Sequence, residues 1–363
     1  MKIAVTGGSG FIGGHVVDRL LDAGHEVLSL DLSTCRRPDP RAAYREIDVL
    51  ELEALVDAFT GVDVVFHIAG MSNVDFAFAD PVRTVRLNVE GTGKVCEAAR
   101  RTGVRRVVFA STVWVYGAVA DAPAQPTEQP PAQPPAQPTE QPSGLAAGSV
   151  PAPAGHGDHP RPAPLTEDAE IVLARAGHVY TSTKLAAELL LHSYQQTYGL
   201  PFTILRYGIP YGPGMRDELV LARFVHNAVH GRPLTVAGDG LQFRNYVYVR
   251  DLADAHVLAL ADSAANTTLA LEGNEPVSVL EMAQAVQRHF PGTEIEHMPA
   301  RPGDFRGREI SAQRAAGLLG WRPTTPFLEG VRQYIEWYQA NRQPPAVTAP
   351  SIGDLGVSAT SSE

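Results

Sequence analysis

The sequence predicts an α/β fold in which a doubly wound parallel sheet is joined to a smaller C-terminal α/β unit. Short apolar segments alternate with segments of helical periodicity through the first 111 residues, which is typical of strands connected by crossover helices. These apolar segments are continuous, as expected for strands that helices cover on both faces. The length of 363 residues also suits about two domains.

The first half of the chain divides into strands that end at polar or glycine residues and helices that end near glycine. Gly24, for example, follows the first predicted helix as a C-cap, because glycine adopts a left-handed conformation at little cost. In chain order we predict a strand at 2–6, a helix at 11–23, a strand at 26–30, a helix at 51–59, a strand at 63–68, a helix at 81–102 and a strand at 106–111.

A proline-rich segment then interrupts the alternation. Residues 124–142 contain no Val, Ile, Leu, Phe, Tyr or Trp, and ordering the backbone costs about 1–2 kcal/mol per residue. Because this segment has no apolar area to offset that cost, we predict a disordered insert over residues 119–163. The alternative is that the insert is a ligand for a proline-binding module.

Regular structure is predicted again from Leu165 onward. The predicted elements are a helix at 179–198, strands at 202–206 and 245–249, and helices at 252–261, 279–290 and 327–341. We assign residues 1–118, 164–206 and 236–262 to the larger domain, 207–235 and 263–342 to the smaller domain, and 343–363 to a flexible tail.

The composition narrows the possible function classes. Lysine plus arginine total 30 and aspartate plus glutamate total 40, so the formal net charge of −10 argues against a nucleic-acid-binding protein. No apolar run approaches the roughly 18 residues of a membrane span, and the N-terminus is predicted to be a buried strand rather than a signal peptide. Cys35 and Cys96 are too few for a disulfide framework. We therefore expect a cytoplasmic protein with no nucleic-acid or membrane partner.

A glycine-rich turn, Thr6 to Gly13, lies between the first strand and the first helix. Gly7 permits the turn, Gly10 lets the backbone approach a ligand, and Gly13 lets the helix pack on the sheet. Backbone N–H groups at the helix N-terminus bind phosphate. The turn therefore predicts a dinucleotide pyrophosphate site and, with it, a Rossmann domain; an ordinary tight turn is the alternative interpretation.

Asp31 lies at the end of the second strand, where a carboxylate accepts hydrogen bonds from the adenosine ribose. A 2′-phosphate at this position would meet a like charge, so the sequence favours NAD over NADP. Arg36 and Arg37 follow closely and could weaken that preference.

Tyr180 and Lys184 lie four residues apart on a predicted helix and therefore share one face. A free tyrosine has a pKa near 10, and a neighbouring ammonium together with an oxidised nicotinamide would favour the phenolate. The pair therefore predicts a general base for an alcohol. Ser111 and Thr112 end the fourth strand, where ligands bind in open parallel sheets.

Two groups of histidines lack the ligands of a metal site. His226 and His230 lie four residues apart on a predicted helix, and His156 and His159 lie in the insert beside Asp158. Neither group has a convincing third ligand, so we expect no metal.

Taken together, these motifs resemble the extended short-chain dehydrogenase/reductase family, and within it the NAD-dependent nucleotide-sugar epimerase/dehydratase group. The matching segments span the chain on both sides of the insert. They are TGGSGFIGGH (6–15), DV (48–49), HIAG (67–70), NVEGT (88–92), STVWVYG (111–117), YTSTK (180–184), LRYGIPYGPG (205–214), GDGLQFRNYVYVRDLA (238–253), RPGD (301–304) and LLGWRPTTPFLEGV (318–331).

The resemblance implies roles for individual residues. It implies a catalytic set of Thr112, Tyr180 and Lys184. The NAD contacts that it implies are Gly7, Gly10, Phe11, Ile12, Gly13, Asp31, Asp48, Val49, Ala69, Asn88, Tyr180 and Lys184. The implied contacts to a nucleotide-diphosphate sugar, most simply a UDP-sugar, are Ser111, Thr112, Tyr180, Arg244, Tyr246, Arg301 and Asp304.

Departures from the family pattern bear on the reaction. Dehydratases and decarboxylases of the family have acidic residues directly after the Thr, whereas this chain has Val113 and Trp114. Many members have Phe-Asn where this chain has Gly208 and Ile209. Because epimerases of the family keep neutral residues after the Thr, as at Val113 and Trp114, we expect a nucleotide-sugar 4-epimerase that retains NAD and passes through a 4-keto intermediate. The alternatives are an NAD(P)-dependent reductase or dehydrogenase of a 4-keto sugar nucleotide or related alcohol, and a non-catalytic NAD-binding sensor.

Apolar side chains lie on more than one face of the helices predicted at 81–102 and 179–198, including Leu185, Leu189, Leu190 and Leu191. The equivalent helices of the family pair between subunits. We therefore expect a homodimer.

Overall fold

The computed structural model of the chain describes residues 1–33, 35, 38–119, 163–300 and 307–341. The strands are β1 (Lys2–Thr6), β2 (Glu26–Asp31), β3 (Ala43–Glu46), β4 (Val64–His67), β5 (Arg106–Thr112), β6 (Phe202–Tyr207), β7 (Ile209–Tyr211), β8 (Leu234–Ala237), β9 (Phe243–Tyr248), β10 (Thr267–Leu271), β11 (Pro276–Ser278) and β12 (Ile295–Met298).

Helices connect most of these strands. They are α1 (Phe11–Asp22), α2 (Leu52–Phe59), α3 (Val74–Ala79), α4 (Pro81–Val85), α5 (Gly91–Thr102), α6 (Val179–Tyr198), α7 (Val220–Val229), α8 (Val249–Leu258), α9 (Val279–Gln287), α10 (Gln313–Leu319) and α11 (Phe327–Asn341). A π-helical turn covers Arg86–Glu90, and 3₁₀ turns cover Val113–Ala118, Leu173–Arg175 and Asp262–Ala264.

The largest sheet is parallel and has the strand order β10-β6-β5-β4-β1-β2-β3. The order reverses between β1 and β4, which is the crevice where ligands bind in doubly wound sheets. This sheet confirms the predicted fold class. The register of the sheet places Thr112 beside Tyr207 and Tyr207 beside Leu271.

Side chains alternate between the two faces of this sheet, and each face carries its own apolar core. On β4, for example, Phe66 packs in a core with Leu20 and Leu252, whereas Val65 packs in a core with Leu55 and Leu191. All of these side chains are fully or almost fully buried. Burial on both faces explains why the strands have no polar alternation.

The smaller unit has a core of its own, in which α7, α9 and α11 pack around β9 and β11. Phe224, Met282 and Tyr334 are fully or almost fully buried there. Ser278 begins α9 with a capping box, since its hydroxyl accepts from Glu281 N at 3.1 Å and the Glu281 carboxylate accepts in return.

Several elements differ from the sequence prediction. The helix predicted at 81–102 is divided into α4, the π-helical turn and α5. Strand β3 was not predicted, because three of its four residues are exposed. Strand β10 joins the large sheet beside β6, although the predicted boundary at 262 assigns it to the smaller domain. The sequence lacks a signal for this pairing, since β10 and β6 are distant along the chain.

Two predicted segments lie largely or wholly outside the described residues, namely the insert at 119–163 and the tail at 343–363. Arg36 and Arg37 lie outside them as well. Within the described part of the chain, no helix is long and apolar enough to cross a membrane.

Candidate active site

The glycine turn after β1 packs so closely on the protein's own backbone that two of its positions admit no side chain. A Cβ on Gly7 would lie 2.7 Å from Ala69 N, and a Cβ on Gly13 would lie 2.0 Å from Gly7 O. Gly7 also has a φ of +74°, which favours glycine. Helix α1 begins at Phe11 with no side-chain cap and no acidic residue in its first turn. Its N-terminal N–H groups are therefore suited to a phosphate.

Asp31 at the end of β2 faces this turn. Its Oδ2 accepts from Ser9 N and its Oδ1 accepts from Ser33 N, each at 3.0 Å. The carboxylate is thus fixed beside the glycine turn, as the sequence predicts for a ribose-binding acid.

A cavity of about 470 Å³ opens farther along this edge of the sheet. Leu32, Asp48, Leu50 and Arg86 are among the residues that line it. Apolar side chains beside a carboxylate suit a flat, nitrogen-containing ring. Val49, in contrast, is buried in the core and lies under Gly91, where a Cβ would be 3.0 Å from Val49 Cγ2.

Asn88 lies in the π-helical turn and connects the loop after β4 to α6. Its Oδ1 accepts from Met71 N at 2.7 Å, and its Nδ2 donates to Met71 O and Thr183 Oγ1, each at 3.0 Å. A Cβ on Gly70 would lie 2.7 Å from Asn88 Oδ1 and 3.9 Å from Lys184 Nζ. The predicted cofactor residues Ala69 and Asn88 are therefore brought next to Lys184.

Thr112 and Tyr180 meet where β5 ends and α6 begins. Both side chains are buried, and the Thr112 hydroxyl is hydrogen-bonded to the Tyr180 phenol. Burial raises the pKa of Tyr180 to about 12, while Thr112 and then Arg216 act in the opposite direction. The sequence predicts that Lys184 lowers this pKa, whereas the groups that lower it here are Thr112 and Arg216.

Lys184 is buried one helical turn after Tyr180. Its Nζ donates to Ala110 O at 2.8 Å and lies 4.8 Å from the centre of the Phe109 ring. Burial lowers the pKa of Lys184 to about 8, and Glu188 opposes that shift. The ammonium is thus held at the carboxyl end of β5, in the crevice beside Gly70.

The Ser111 hydroxyl is hydrogen-bonded to Glu188. Its Oγ donates to Glu188 Oε1 at 2.5 Å, and Glu188 also accepts from Arg206 Nε at 3.1 Å and Nη2 at 2.7 Å. Burial lowers the pKa of Arg206, but Glu188 and Tyr116 together raise it above its usual value. Sequence reasoning missed this ion pair. The spacing of four residues from Lys184 places Glu188 on the same face of α6, but it does not indicate Arg206 as the partner.

Two aromatic residues near Tyr180 were also missed. His178 caps α6 by accepting from Thr181 N at 3.3 Å, and its ring is stacked 6.1 Å from that of Tyr180. The Trp114 ring lies 5.7 Å from His178, and Trp114 N donates to Thr112 Oγ1 at 3.2 Å. Trp114 is 39% exposed, so the rings of Trp114 and His178 line a path from solvent to Tyr180.

Arg244 and Tyr246 lie on β9 in the smaller unit. Burial raises the pKa of Tyr246 to about 12, with Arg244 acting in the opposite direction. Arg301 and Asp304, the other predicted contacts of this group, lie outside the described residues. Among the described residues, no group of three or more His, Cys, Asp or Glu side chains could hold a metal ion.

A family model described as the NAD dependent epimerase/dehydratase family matches residues 3–141 and 145–270. A UDP-glucose 4-epimerase from Mycolicibacterium smegmatis is 29% identical over 94% of this chain and 100% of its own length. A dTDP-D-glucose 4,6-dehydratase from Bos taurus is 26% identical over 94% of this chain and 89% of its own length.

The solved structures agree with the family model. The UDP-glucose 4-epimerase of Thermus thermophilus, in complex with NAD, matches with a TM-score of 0.73 and 30% identity. The match covers 94% of this chain and 100% of that one. Epimerases and a dehydratase are thus similar to this chain over nearly its whole length.

Proposed function

This chain belongs to the NAD-dependent epimerase/dehydratase family, and we propose that within it the protein is a nucleotide-sugar 4-epimerase. The observation that carries the choice is the 3₁₀ turn after Thr112. Val113 and Trp114 stand there, and neither side chain can transfer a proton. A 4,6-dehydration needs an acid to expel water, whereas inversion at C4 needs only a base for the C4 hydroxyl and a hydride acceptor.

NAD fits the residues that would hold it. The turn at Gly7 and Gly13 has no room for side chains, so a pyrophosphate would meet backbone N–H groups directly. Asp31 would accept hydrogen bonds from the adenosine ribose. The carboxylate would repel a 2′-phosphate, which supports NAD over NADP.

In the proposed mechanism, Tyr180 Oη removes the proton from the C4 hydroxyl of the sugar. Thr112 is hydrogen-bonded to that phenol, so it holds the oxygen in place and stabilises the phenolate. The chemistry that NAD supplies when bound is reversible hydride acceptance, and the positive charge of its oxidised ring adds to the effects that favour the phenolate. The 4-keto sugar then rotates in the site and presents its other face. Tyr180 returns the proton as the C4 hydroxyl forms again.

Lys184 and Glu188 position the groups that surround the base Tyr180. The Lys184 ammonium, anchored on Ala110 O, is placed to hold a ribose hydroxyl next to the base. Glu188 keeps Lys184 protonated by raising its pKa against the effect of burial. The ion pair of Glu188 with Arg206 fixes α6 against β6.

The substrate that we propose is a UDP-sugar. The two similar epimerases described above are named for UDP-glucose, and other similar epimerases are named for UDP-glucuronate. Arg244 on β9 and Arg301 would contact the diphosphate, because guanidinium groups match diphosphate geometry. Tyr246 and Asp304 are the further proposed contacts, to the nucleoside. Trp114 would pack on an apolar face of the sugar.

We also propose a cytoplasmic homodimer. Phe76 and Val82 of α3 and α4, and Leu189 of α6, are 56%, 70% and 57% exposed. Exposed apolar side chains on neighbouring helices are typical of an interface. Cys35 and Cys96 are free thiols, as expected in a reducing compartment.

The deciding experiment is to incubate the purified protein with UDP-glucose and with UDP-glucuronate and to analyse products by NMR and mass spectrometry. A 4-epimerase gives the C4 epimer at unchanged mass with no net NADH. Loss of one water would identify a dehydratase, and stoichiometric consumption or formation of NADH would identify a reductase or dehydrogenase. No turnover of any sugar nucleotide would favour the sensor.

A further inference from the structure

A buried carboxylate at the outer edge of the large sheet has no role in the proposed reaction. Glu272 directly follows β10 and is only 3% exposed. Its Oε2 accepts no hydrogen bond from any residue that the structure describes. Burial raises the pKa of this carboxyl well above its usual value. Leaving such a group unpaired costs about 1–3 kcal/mol, so its presence calls for a function.

Glu272 lies away from Tyr180 and Thr112. Strand β10 is two strands from β5, which corresponds to about 10 Å at a strand spacing of about 4.8 Å. The carboxyl packs against Gly208, where a Cβ would lie 2.5 Å from Glu272 Oε2. Because residue 208 is a glycine, there is space beside it for the Glu272 carboxyl.

The carboxyl lines a cavity of about 410 Å³. Other polar residues of its lining are Asn245, Asn274, Ser311, Gln313 and Arg322. Asn245 Nδ2 donates to Gly273 O at 3.2 Å, and Asn274 Nδ2 donates to Pro323 O at 2.7 Å. Each of these hydrogen bonds uses one of the two N–H groups of its amide, so each side chain keeps its oxygen as an acceptor and one N–H as a donor. Together with Glu272 Oε2, the two amide oxygens offer acceptors to a ligand that brings donors.

We propose that this cavity binds a small polyhydroxylated primary amine, with its ammonium group on Glu272 and its hydroxyls on the amide oxygens of Asn245 and Asn274. The volume lies in the usual range for small-ligand sites, about 300–1,000 Å³. An ammonium group supplies both the hydrogen-bond donors and the positive charge that a buried carboxylate requires. A neutral polyol supplies only the donors. The other charged residues of the lining are Glu309 and Arg322, and Arg322 is exposed, so solvent screens its repulsion of the ligand.

The test uses the full chain and a matched pair of probes, D-glucamine and D-glucitol, which differ by one amino group. Isothermal titration near pH 7 in two buffers of different ionisation enthalpy measures affinity and proton release together. We expect D-glucamine to bind more tightly than D-glucitol and to show net proton release rather than uptake, because burial raises the pKa of Glu272 and pairing with the ammonium favours the ionised carboxylate. This readout does not depend on catalysis, so it is independent of the proposed epimerase activity.

Glu272→Gln is the variant that isolates the charge, because glutamine has nearly the same shape. It should melt at or above the wild-type temperature, since it removes a buried ionisable group, and it should bind D-glucamine about tenfold or more weakly and release no proton. Equal affinity for the two probes, no binding of D-glucamine, or unchanged binding to Glu272→Gln would each overturn the proposal.

Discussion

Replacing Arg206 by methionine tests whether the ion pair behind the active site stabilises the catalytic helix. Arg206 and Glu188 are both 7% exposed in their side chains. The guanidinium makes two hydrogen bonds to this carboxylate, at 3.1 and 2.7 Å, and Ser111 makes a third at 2.5 Å. Removing this cation takes away the direct ion-pair partner of a buried carboxylate and leaves the Lys184 ammonium as its neighbouring cation. Such a change costs about 3–5 kcal/mol, out of a typical total stability of about 5–15 kcal/mol.

The matched control removes both charges. In Glu188→Leu/Arg206→Met both members of the pair are removed, whereas the buried Lys184 loses its neighbouring carboxylate. The double variant should therefore be destabilised by less than the sum of the two single changes. Urea unfolding followed by circular dichroism measures the free energy of unfolding of wild type, of the two single variants Arg206→Met and Glu188→Leu, and of the double variant. The reasoning fails if Arg206→Met costs less than about 1 kcal/mol, or if the double variant loses the sum of the two single changes.

Three further predictions concern the cofactor, the base and pH. Asp31→Ser should reduce the preference for NAD over NADP by about tenfold or more, measured by titrating the apo protein with each; an unchanged ratio would show that another group sets it. Tyr180→Phe should lower epimerisation about 10²–10⁴-fold with NAD binding unchanged, and more than about a tenth of wild-type rate would exclude Tyr180 as the base. His67 and His256 are buried, and burial lowers their pKa values to about 3 and about 4. The unfolded chain therefore binds protons that the folded chain does not, and urea midpoints should fall as the pH drops from about 6.5 towards 4; a flat profile would contradict this assignment.

Features that depend on local sequence were predictable. The glycine turn and Asp31 occupy the predicted places, because strand, turn and helix follow one another within 31 residues. Tyr180 and Thr112 were also expected to meet, since both lie at the carboxyl edge of the sheet. Each of these inferences needs only periodicity and the rule that parallel strands end at one edge.

Features that depend on distant residues were not predictable. The partner of Ser111 is Glu188, 77 residues farther along the chain, so no local pattern indicates it. The raised pKa of Tyr180 follows from burial in the assembled site, whereas the sequence shows only a lysine four residues away. The π-helical turn at Asn88 is likewise set by tertiary contacts, to Met71 and Thr183.

The strand order of the large sheet also sets the sequence of events during synthesis. Strands β1 to β5 pair with one another and are complete once residue 112 has been made. Strand β6 follows only at residues 202–207, and the edge strand β10 only at 267–271. Strand β6 pairs with β5, so the edge of β5 stays unpaired in the nascent chain while about 90 further residues are translated. This takes several seconds at about 5–20 residues per second. Protection of that edge on the ribosome is therefore part of what this topology demands.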